Sequence, residues 1–178
     1  MAWARLGEGA KAVELLTMMN PVERTRTPQD VARYCGEPYA MAADVSSAVG
    51  RVGRAGWTFY TGSAAWMYRI WTEEVLGFRM RGDRLSIQPV IPDAWPGFEI
   101  TFRYRSATYE IAVERDSSGE PGRVHEDGRL LPDGMVRLAD DGAVHRVLVQ
   151  MSKAAPGPQV GTPTIERHHD EKEELRIC

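Results

Sequence analysis

The chain is poor in the residues from which disulfide frameworks and metal centres are built. Its 178 residues include two cysteines and four histidines. Cys35 lies beside a turn and Cys178 is the last residue, so neither a framework of several disulfides nor a CxxC metal motif is available. The histidines fall in a polar tail and on two expected strands, and such scattered ligand types do not favour a metal site. They are His168, His169, His125 and His145. We predict no bound metal and no cofactor.

Long apolar runs and basic runs are also missing. No stretch approaches the roughly 18 to 20 apolar residues of a membrane span, and the segment Met1 to Gly7 lacks the apolar core of a signal peptide. The 22 basic and 25 acidic residues leave a net charge of -3 without a basic cluster, which argues against a nucleic-acid partner. We therefore expect a cytoplasmic protein without a membrane span in this chain.

What is present is typical of a globular protein, with 43% hydrophobic and 26% charged residues. The first half has helical periodicity. Val13, Leu16 and Met19 recur on one side of a helix that Asn20-Pro21 should end. Thr27-Pro28 is a helix-start signal, because a hydroxyl residue in the cap position precedes proline in the first turn.

Two more helices are expected before the midpoint of the chain. After Glu37-Pro38, the alanine-rich segment from Tyr39 to Val49 predicts a helix. A glycine-studded loop follows. Met67, Ile70, Trp71 and Val75 then recur at helical spacing, and Gly77 is placed to end that helix in a left-handed conformation.

From Arg84 the hydrophobic period changes to two. Phe98 to Tyr104 and Tyr109 to Val113 alternate apolar with polar residues, and shorter runs follow, separated by glycine-containing turns. The sequence therefore predicts an α+β protein with three regions: helices over residues 1–80, a small antiparallel β-sandwich over residues 84–151, and a disordered tail over residues 152–178.

One central stretch carries a family resemblance. Residues 53–69 read GRAGWTFYTGSAAWMYR, which closely resembles the Gly-Trp-Thr-Trp-Tyr-Thr-Gly-Ser-Ala-Gly-Trp-Met block of glycoside hydrolase family 94. That family contains cellobiose, chitobiose and 1,2-β-oligoglucan phosphorylases and the phosphorylase region of cyclic β-1,2-glucan synthases. Further similar segments occur in the same order, at Asn20-Pro21, at Glu37 to Asp44, at Ile91 to Phe98 and around His145 to Val149.

The resemblance implies a fold and a reaction. The expected fold is the last helices of an (α/α)6 barrel, followed by a small jelly-roll-like β domain. The implied reaction is inverting phosphorolysis, in which inorganic phosphate attacks the anomeric carbon of a β-glucoside while an aspartic acid protonates the leaving oxygen. No match to the family's aspartate motif is present in this chain, and the chain is expected to be inactive alone. A polypeptide that completes the barrel would be a partner.

The same resemblance points to phosphate-binding residues. Thr61 and Gly62 match the family's phosphate-contacting pair, and a hydroxyl with free amides at a helix start suits an anion. The alternative is that Thr61-Gly62-Ser63 only caps the helix. Arg24 occupies the position of the family's phosphate-contacting histidine; an arginine can hold phosphate, although the neighbouring Glu23 would oppose an anion.

Sugar contacts are assigned to three residues. Trp57 and Tyr60 offer flat rings that suit pyranose faces, and Glu37 offers a carboxylate for sugar hydroxyls. Asp44 could bond sugar hydroxyls in the same way. For the aromatic residues the alternative is a place in the core, which we favour for Trp66. For Glu37 and Asp44 the alternative is a solvated or capping role.

Two functions from different classes therefore remain. The first is the carboxy-terminal portion of a β-glucan or disaccharide phosphorylase, or of a cyclic glucan synthase-like enzyme. The second is a non-catalytic carbohydrate-binding or interaction module built on the β half.

Overall fold

The computed structural model describes residues 1–116 and 122–152 of the chain. The expected disordered tail therefore lies, from residue 153 onward, outside the described residues. Within the described ranges the chain forms a helical half followed by a half made of strands, and no helix there is long and apolar enough to cross a membrane.

The helical half contains four α-helices and two irregular helical turns. They are α1 (Ala2–Arg5), α2 (Gly9–Met19), a 3-10 turn (Glu23–Thr25), α3 (Pro28–Tyr34), α4 (Thr61–Arg69) and a π-helical turn (Ile70–Val75) that continues α4. Ala12 and Leu16 of α2 are buried with Met67 and Val75 in one apolar cluster. This cluster packs the first helices against the end of α4.

The helix ends follow the signals in the sequence. Helix α2 ends at Met19, directly before Asn20-Pro21. Helix α3 is capped by Thr27, whose Oγ1 accepts a hydrogen bond from the Asp30 amide at 3.1 Å. Gly77 has a φ of 69°, the left-handed conformation that follows a helix end. These three predictions are confirmed.

The helix expected over Tyr39 to Val49 is wrong. This segment forms turns and the short strand β1 (Asp44–Val45), which pairs with β2 (Ala55–Gly56) in an antiparallel ribbon. The Ala43 amide donates to Gly56 O at 3.0 Å, so the backbone bonds outward to another segment instead of along a helix. Tertiary pairing has overridden the alanine-rich composition.

The half made of strands begins earlier in the chain than the change in hydrophobic period at Arg84 indicated. Strand β3 (Phe78–Arg81) comes before the expected start at residue 84 and pairs with β4 (Arg84–Ile87). The remaining strands are β5 (Gly97–Tyr104), β6 (Ala107–Asp116), β7 (Arg123–Glu126), β8 (Arg129–Leu131), β9 (Met135–Arg137) and β10 (Val144–Ser152). They form a three-stranded sheet in the order β3-β4-β9 and a five-stranded sheet in the order β5-β6-β10-β7-β8.

The two sheets enclose one core but are not wholly antiparallel. Leu85 and Val136 of the small sheet are buried together with Tyr109, Ile111 and Val147 of the large sheet. Strand β10 runs parallel to β6, which corrects the expectation of an antiparallel domain. Strand β10 lies between β6 and β7, and the connection from β6 to β10 contains β7, β8 and β9, so it is long enough to permit parallel pairing.

Candidate functional site

The candidate site lies where the loop after α3 meets the loop that enters α4. The Ala43 amide donates to the carbonyls of Gly56 and Trp57, at 3.0 and 3.1 Å, and the Tyr60 amide donates to Met41 O at 3.1 Å. Residues 41–43 therefore hold both ends of the segment 56–60. This arrangement positions the start of α4.

Three backbone amides at the start of α4 precede the first hydrogen bond of the helix. The first bond of the helix runs from the Ala64 amide to Tyr60 O at 3.2 Å, so the amides of Thr61, Gly62 and Ser63 have no acceptor inside the helix. Tyr60 occupies the cap position and makes no side-chain capping hydrogen bond. Thr61 and Gly62 are exposed, and Thr61 is the first helical residue rather than the cap.

The Ser63 hydroxyl, by contrast, is committed to the protein. It donates to Ala42 O at 2.8 Å and lies 2.9 Å from Tyr60 O. Ser63 thus connects α4 to the segment at residues 41–43 by a hydrogen bond. Thr61 remains as the exposed residue with a hydroxyl group at this helix start.

Arg24 lies in the 3-10 turn, and its Nε donates to Met18 O at 2.7 Å. The neighbouring carboxylate of Glu23 forms an ion pair with Arg26, with Oε1 and Nη2 2.6 Å apart. The negative charge beside Arg24 is therefore paired with a different arginine. The charge of Arg24 acts on Tyr34: burial raises the pKa of the Tyr34 phenol, and Arg24 opposes that rise. In the described part of the chain no hydrogen bond or ion pair joins Arg24 to Thr61 or Gly62.

Glu37 faces inward, toward the loop that precedes α4. A hydrogen bond with the Thr58 side chain is the main cause that lowers the pKa of Glu37. Its Oε2 atom is buried and has no hydrogen-bond partner among the described residues, and the same holds for the hydroxyl of Tyr34, which is 1% exposed. The charge of Glu37 also contributes to the raised pKa of Tyr34.

The aromatic residues of this region are mostly open to solvent. Trp57 is 80% exposed, and Tyr60 is about half exposed. Tyr39 and Phe59 form an edge-to-face pair with ring centroids 6.1 Å apart, and both rings are exposed. Trp66 is 53% exposed and lies under the guanidinium of Arg69, so the core position that we favoured for it is wrong in this chain.

The other carboxylates near the site have separate roles. Glu73 lies on the π turn and pairs with Arg69 at 3.0 Å, and the hydrogen bond from Arg69 is the main cause that lowers the pKa of Glu73. Asp44 is exposed on β1 and lies across Gly56, where any side chain would collide with the Asp44 carboxylate. Gly56 thus serves close packing. Gly53 has a positive φ of 86°.

Sequence reasoning assigned no role to Tyr34 or to Thr58, although Thr58 lies within the residue 53–69 block. Both become relevant only because the loops at residues 35–43 and 54–60 pack together. A Cβ atom at Gly36 would lie 2.8 Å from Tyr34 Cε1 and 3.1 Å from Thr58 Cγ2. The glycine before Glu37-Pro38 was the one local sign of this close approach.

Comparison with known proteins divides the chain at the same place as the structure. Residues 1–77 match the catalytic domain of the glycosyl hydrolase 94 superfamily, and residues 78–128 match the C-terminal domain of glycosyl hydrolase family 65. The second match begins at the first residue of β3.

Several curated proteins are similar to the chain. A cyclic β-(1,2)-glucan synthase of Rhizobium meliloti is 44% identical over 122 residues, which are 68% of this chain and 4% of that protein. An N,N'-diacetylchitobiose phosphorylase of Vibrio furnissii is 35% identical over 126 residues, 68% of this chain and 15% of that protein. A solabiose phosphorylase of Paenibacillus borealis is 30% identical over 148 residues, 82% of this chain and 19% of that protein.

The chain thus spans less than a fifth of the length of these relatives. The activities named for these relatives belong to much longer polypeptides. The comparisons confirm the resemblance drawn from the residue 53–69 block, and the chain belongs, through residues 1–77, to the glycosyl hydrolase 94 family.

Proposed function

We propose that the chain is the carboxy-terminal portion of an inverting β-glucoside phosphorylase or of a cyclic β-1,2-glucan synthase-like enzyme, and that it contributes the phosphate-binding wall of the active site. The observation that carries this proposal is the start of α4. There, three amides without intrahelical acceptors and the outward Thr61 hydroxyl converge at the positive end of a helix that continues through the π turn. Inorganic phosphate is the co-substrate of the proposed reaction, and no further cofactor is needed.

Arg24 is proposed to bind the same phosphate from the other side. Its guanidinium is planar and permanently charged, so it can hold two phosphate oxygens at once. The pairing of Glu23 with Arg26 supports this role, because it removes the nearest repulsive charge that the sequence presented. The anchor from Arg24 Nε to Met18 O leaves its terminal nitrogens for a ligand.

Trp57 and Tyr60 are proposed to contact the sugar. Both rings are open to solvent and flank the segment that enters α4. A pyranose ring stacked on such faces would place its anomeric carbon near the phosphate. The prediction that Glu37 binds a sugar hydroxyl stays a prediction; its Oε2 atom is buried and has no hydrogen-bond partner among the described residues.

The general acid is proposed to come from outside these residues. A general acid must carry its proton near neutral pH, which favours carboxyl groups with a raised pKa. The pKa values of Glu37 and Glu73 are instead lowered, by Thr58 and by Arg69. We therefore propose that the chain supplies the last helices of an (α/α)6 barrel and a jelly-roll-like domain, and that the rest of a cytoplasmic enzyme supplies the aspartic acid.

The exposed apolar surface of the helices supports a partner polypeptide or segment. Large apolar side chains on α2 and α4 face solvent, namely Leu15, Met18, Met19, Trp66 and Tyr68. Exposed apolar side chains that form a patch often mark an interaction surface. Packing of further barrel helices against it would remove these side chains from water.

A non-catalytic carbohydrate-binding role is the second candidate. The outer face of the five-stranded sheet bears an open groove of about 720 Å³, lined by Thr101, Glu110, His125, Arg146 and Gln150 among others. Binding of a β-glucan oligosaccharide to the intact chain that Thr101→Ala and Glu110→Ala abolish, while Thr61→Ala leaves it intact, would favour this candidate over the phosphorylase.

The proposed function is tested in an active assembly in which the chain is completed by the catalytic region of the enzyme. Thr61→Ala should lower kcat/KM for phosphate by an amount equivalent to about 1 to 3 kcal/mol, the value of a hydrogen bond to a charged group, while sugar binding changes little. Gly62→Val should lower kcat/KM for phosphate further. A Cβ atom at Gly62 would lie 3.6 Å from the Tyr60 ring, an ordinary contact, so its effect would come from the anion space.

Thr17→Ala is the matched control, because the Thr17 hydroxyl also lies on a helix but donates to Val13 O. The isolated chain should release no glucose 1-phosphate from a β-glucan. Unchanged phosphate dependence in both Thr61→Ala and Gly62→Val would place the anion site elsewhere and leave α4 without the proposed role.

A further inference from the structure

The outer face of the three-stranded sheet carries a row of three arginines. Arg81 of β3 lies directly opposite Arg84 of β4, and Arg84 lies directly opposite Arg137 of β9. Residues opposite one another on paired strands project from the same face of a sheet. Leu85 and Val136, the neighbours of Arg84 and Arg137 along their strands, are buried in the core, so the arginines face away from it. All three arginines are exposed, and we call them the arginine row.

The arginine row has no carboxylate partner among the residues that the structure describes. Three carboxylates line the open cavity that Arg81 also lines, but Glu73 and Glu74 are ion-paired with other arginines, and Asp133 accepts the Met135 amide. Asp83 lies in the turn between β3 and β4, and a single carboxylate would offset one of the three charges. Like charges directly opposite on neighbouring strands destabilise a sheet. An anionic occupant would relieve this repulsion.

One segment of the chain has the opposite charge at a matching density. Residues 170–174 read DEKEE, with four carboxylates in five residues, more than any other stretch of that length in the sequence. This acidic segment lies outside the described residues. Its four carboxylates and one lysine leave a net charge of -3, against +3 for the arginine row. Guanidinium groups pair with carboxylates through two parallel hydrogen bonds, so the two sets of side chains are complementary in chemistry as well as in charge.

The described part of the chain ends beside the arginine row. Strand β10 ends at Ser152, and the preceding residue, Met151, lines the same cavity as Arg81. Residues 153–169 connect β10 to the acidic segment, and a connection of that length reaches up to roughly 55 Å when extended. The acidic segment is therefore within reach of the row. Its tether keeps its local concentration high, which favours a contact made of individually weak ion pairs.

We propose that the arginine row is the docking surface for the acidic segment at residues 170–174 of the same chain. Carboxylates of the segment pair with the three guanidinium groups and relieve their mutual repulsion. Charged side chains pair without a helix or strand in the segment, so the inference is compatible with the disordered tail predicted from composition. The contact involves the β half alone and is independent of the proposed phosphate site.

The contact is tested in the intact 178-residue chain by the rate at which phenylglyoxal modifies each arginine, followed by peptide mass mapping. The comparison protein is the tail-neutral variant, which carries Asp170→Asn, Glu171→Gln, Glu173→Gln and Glu174→Gln. At low salt the arginine row should react about three to ten times more slowly in the native chain than in the tail-neutral variant. About 0.5 M salt should remove most of this difference, because it screens charges beyond a few ångströms. Arg103, exposed on β5, is the control and should react equally in both proteins.

Thermal unfolding measures the same contact independently. Arg84→Gln removes the central charge of the row. In the native chain it should change the melting temperature little, because lost attraction to the segment and relieved repulsion offset one another. In the tail-neutral variant only the repulsion remains, and Arg84→Gln should raise the melting temperature by about 1 to 3 °C. Arg103→Gln is the matched control and should have the same effect in both backgrounds.

Equal reaction rates of the arginine row in the native chain and the tail-neutral variant at low salt would overturn the proposal. Protection that appears only as the chain concentration rises would assign the row to a contact between copies, and would also overturn it. Additive effects of Arg84→Gln and the four tail substitutions on the melting temperature would show that the segment does not act on the row.

Discussion

Arg5 Nη2 lies 2.6 Å from Glu74 Oε1 and joins the first helix of the chain to the π turn at the end of α4. Glu74 is 3% exposed, and its second oxygen lies 3.1 Å from Nη2 of Arg79 on β3. One buried carboxylate therefore connects the helical half to the first strand of the sheets. The hydrogen bond from Arg5 is the main cause that lowers the pKa of Glu74.

Replacing Glu74 by glutamine should destabilise the chain without changing its shape. The variant keeps the side-chain volume but loses charged hydrogen bonds to two arginines, and we expect the free energy of unfolding to fall by about 1 to 3 kcal/mol. Urea unfolding at neutral pH measures this change in the free energy of unfolding. Glu14→Gln is the control, because the exposed Lys11–Glu14 pair should be worth at most about 0.5 kcal/mol. Equal effects of the two variants would mean that the Arg5–Glu74–Arg79 cluster does not hold the halves together.

Gly77 should tolerate no side chain. Its φ is 69°, and an added methyl group would collide with the carbonyl of Gln88, so Gly77→Ala combines backbone strain with a steric clash. We expect a loss of more than about 3 kcal/mol in the free energy of unfolding. Gly82→Ala separates the two causes, because Gly82 has a φ of 62° and nothing within 4 Å; it should cost about 1 kcal/mol. Similar losses for both variants would show that the clash at Gly77 is relieved by local movement.

The Tyr34 hydroxyl should contribute nothing to the stability of this chain. It is buried without a partner among the described residues, so Tyr34→Phe should be neutral or raise the melting temperature slightly. Tyr109 is the matched control: it is also fully buried, but its hydroxyl accepts the Ala139 amide at 2.7 Å. Tyr109→Phe should therefore cost about 1 to 3 kcal/mol. A comparable loss in Tyr34→Phe would reveal a hydrogen bond that the geometry does not show.

His145 should make stability depend on pH near neutrality. Burial acts to lower the pKa of His145, but the hydrogen bonds and charges of Asp141, Asp127 and Glu126 outweigh it, and the pKa is raised. A group with a raised folded pKa stabilises the fold below its unfolded pKa, near 6.5, and loses that contribution as pH rises through the folded value. The melting temperature should therefore fall between about pH 6 and pH 8.

His145→Phe provides the comparison, because its ring can still stack on Tyr109, which lies 4.7 Å away between centroids in the native chain. The fall between pH 6 and pH 8 should largely disappear in this variant. If both proteins lose stability in parallel over that range, the pH dependence belongs to other groups and the Asp127–His145–Asp141 contacts are worth little.

The sequence by itself determined the features that depend on near neighbours. The caps at Thr27 and Gly77 were predictable because each is fixed by the residue's own hydroxyl or its own freedom at φ. The strands from Phe98 to Tyr104 and from Tyr109 to Val113 were predictable because side chains on a strand alternate between core and solvent. The block at residues 53–69 identified the family because its letters occur together and in order.

Only the tertiary structure decided what depends on distant segments. Tyr39 to Val49 is not helical because its backbone bonds to residues 55–57, and alanine content cannot report such a partner. The parallel pairing of β10 with β6 depends on the path of the whole chain. Glu37 and Thr58 meet because two loops pack across Gly36, and the exposure of Trp66 depends on what covers α4. Contacts between residues far apart in sequence leave no periodic signal, which is why these features could not be predicted.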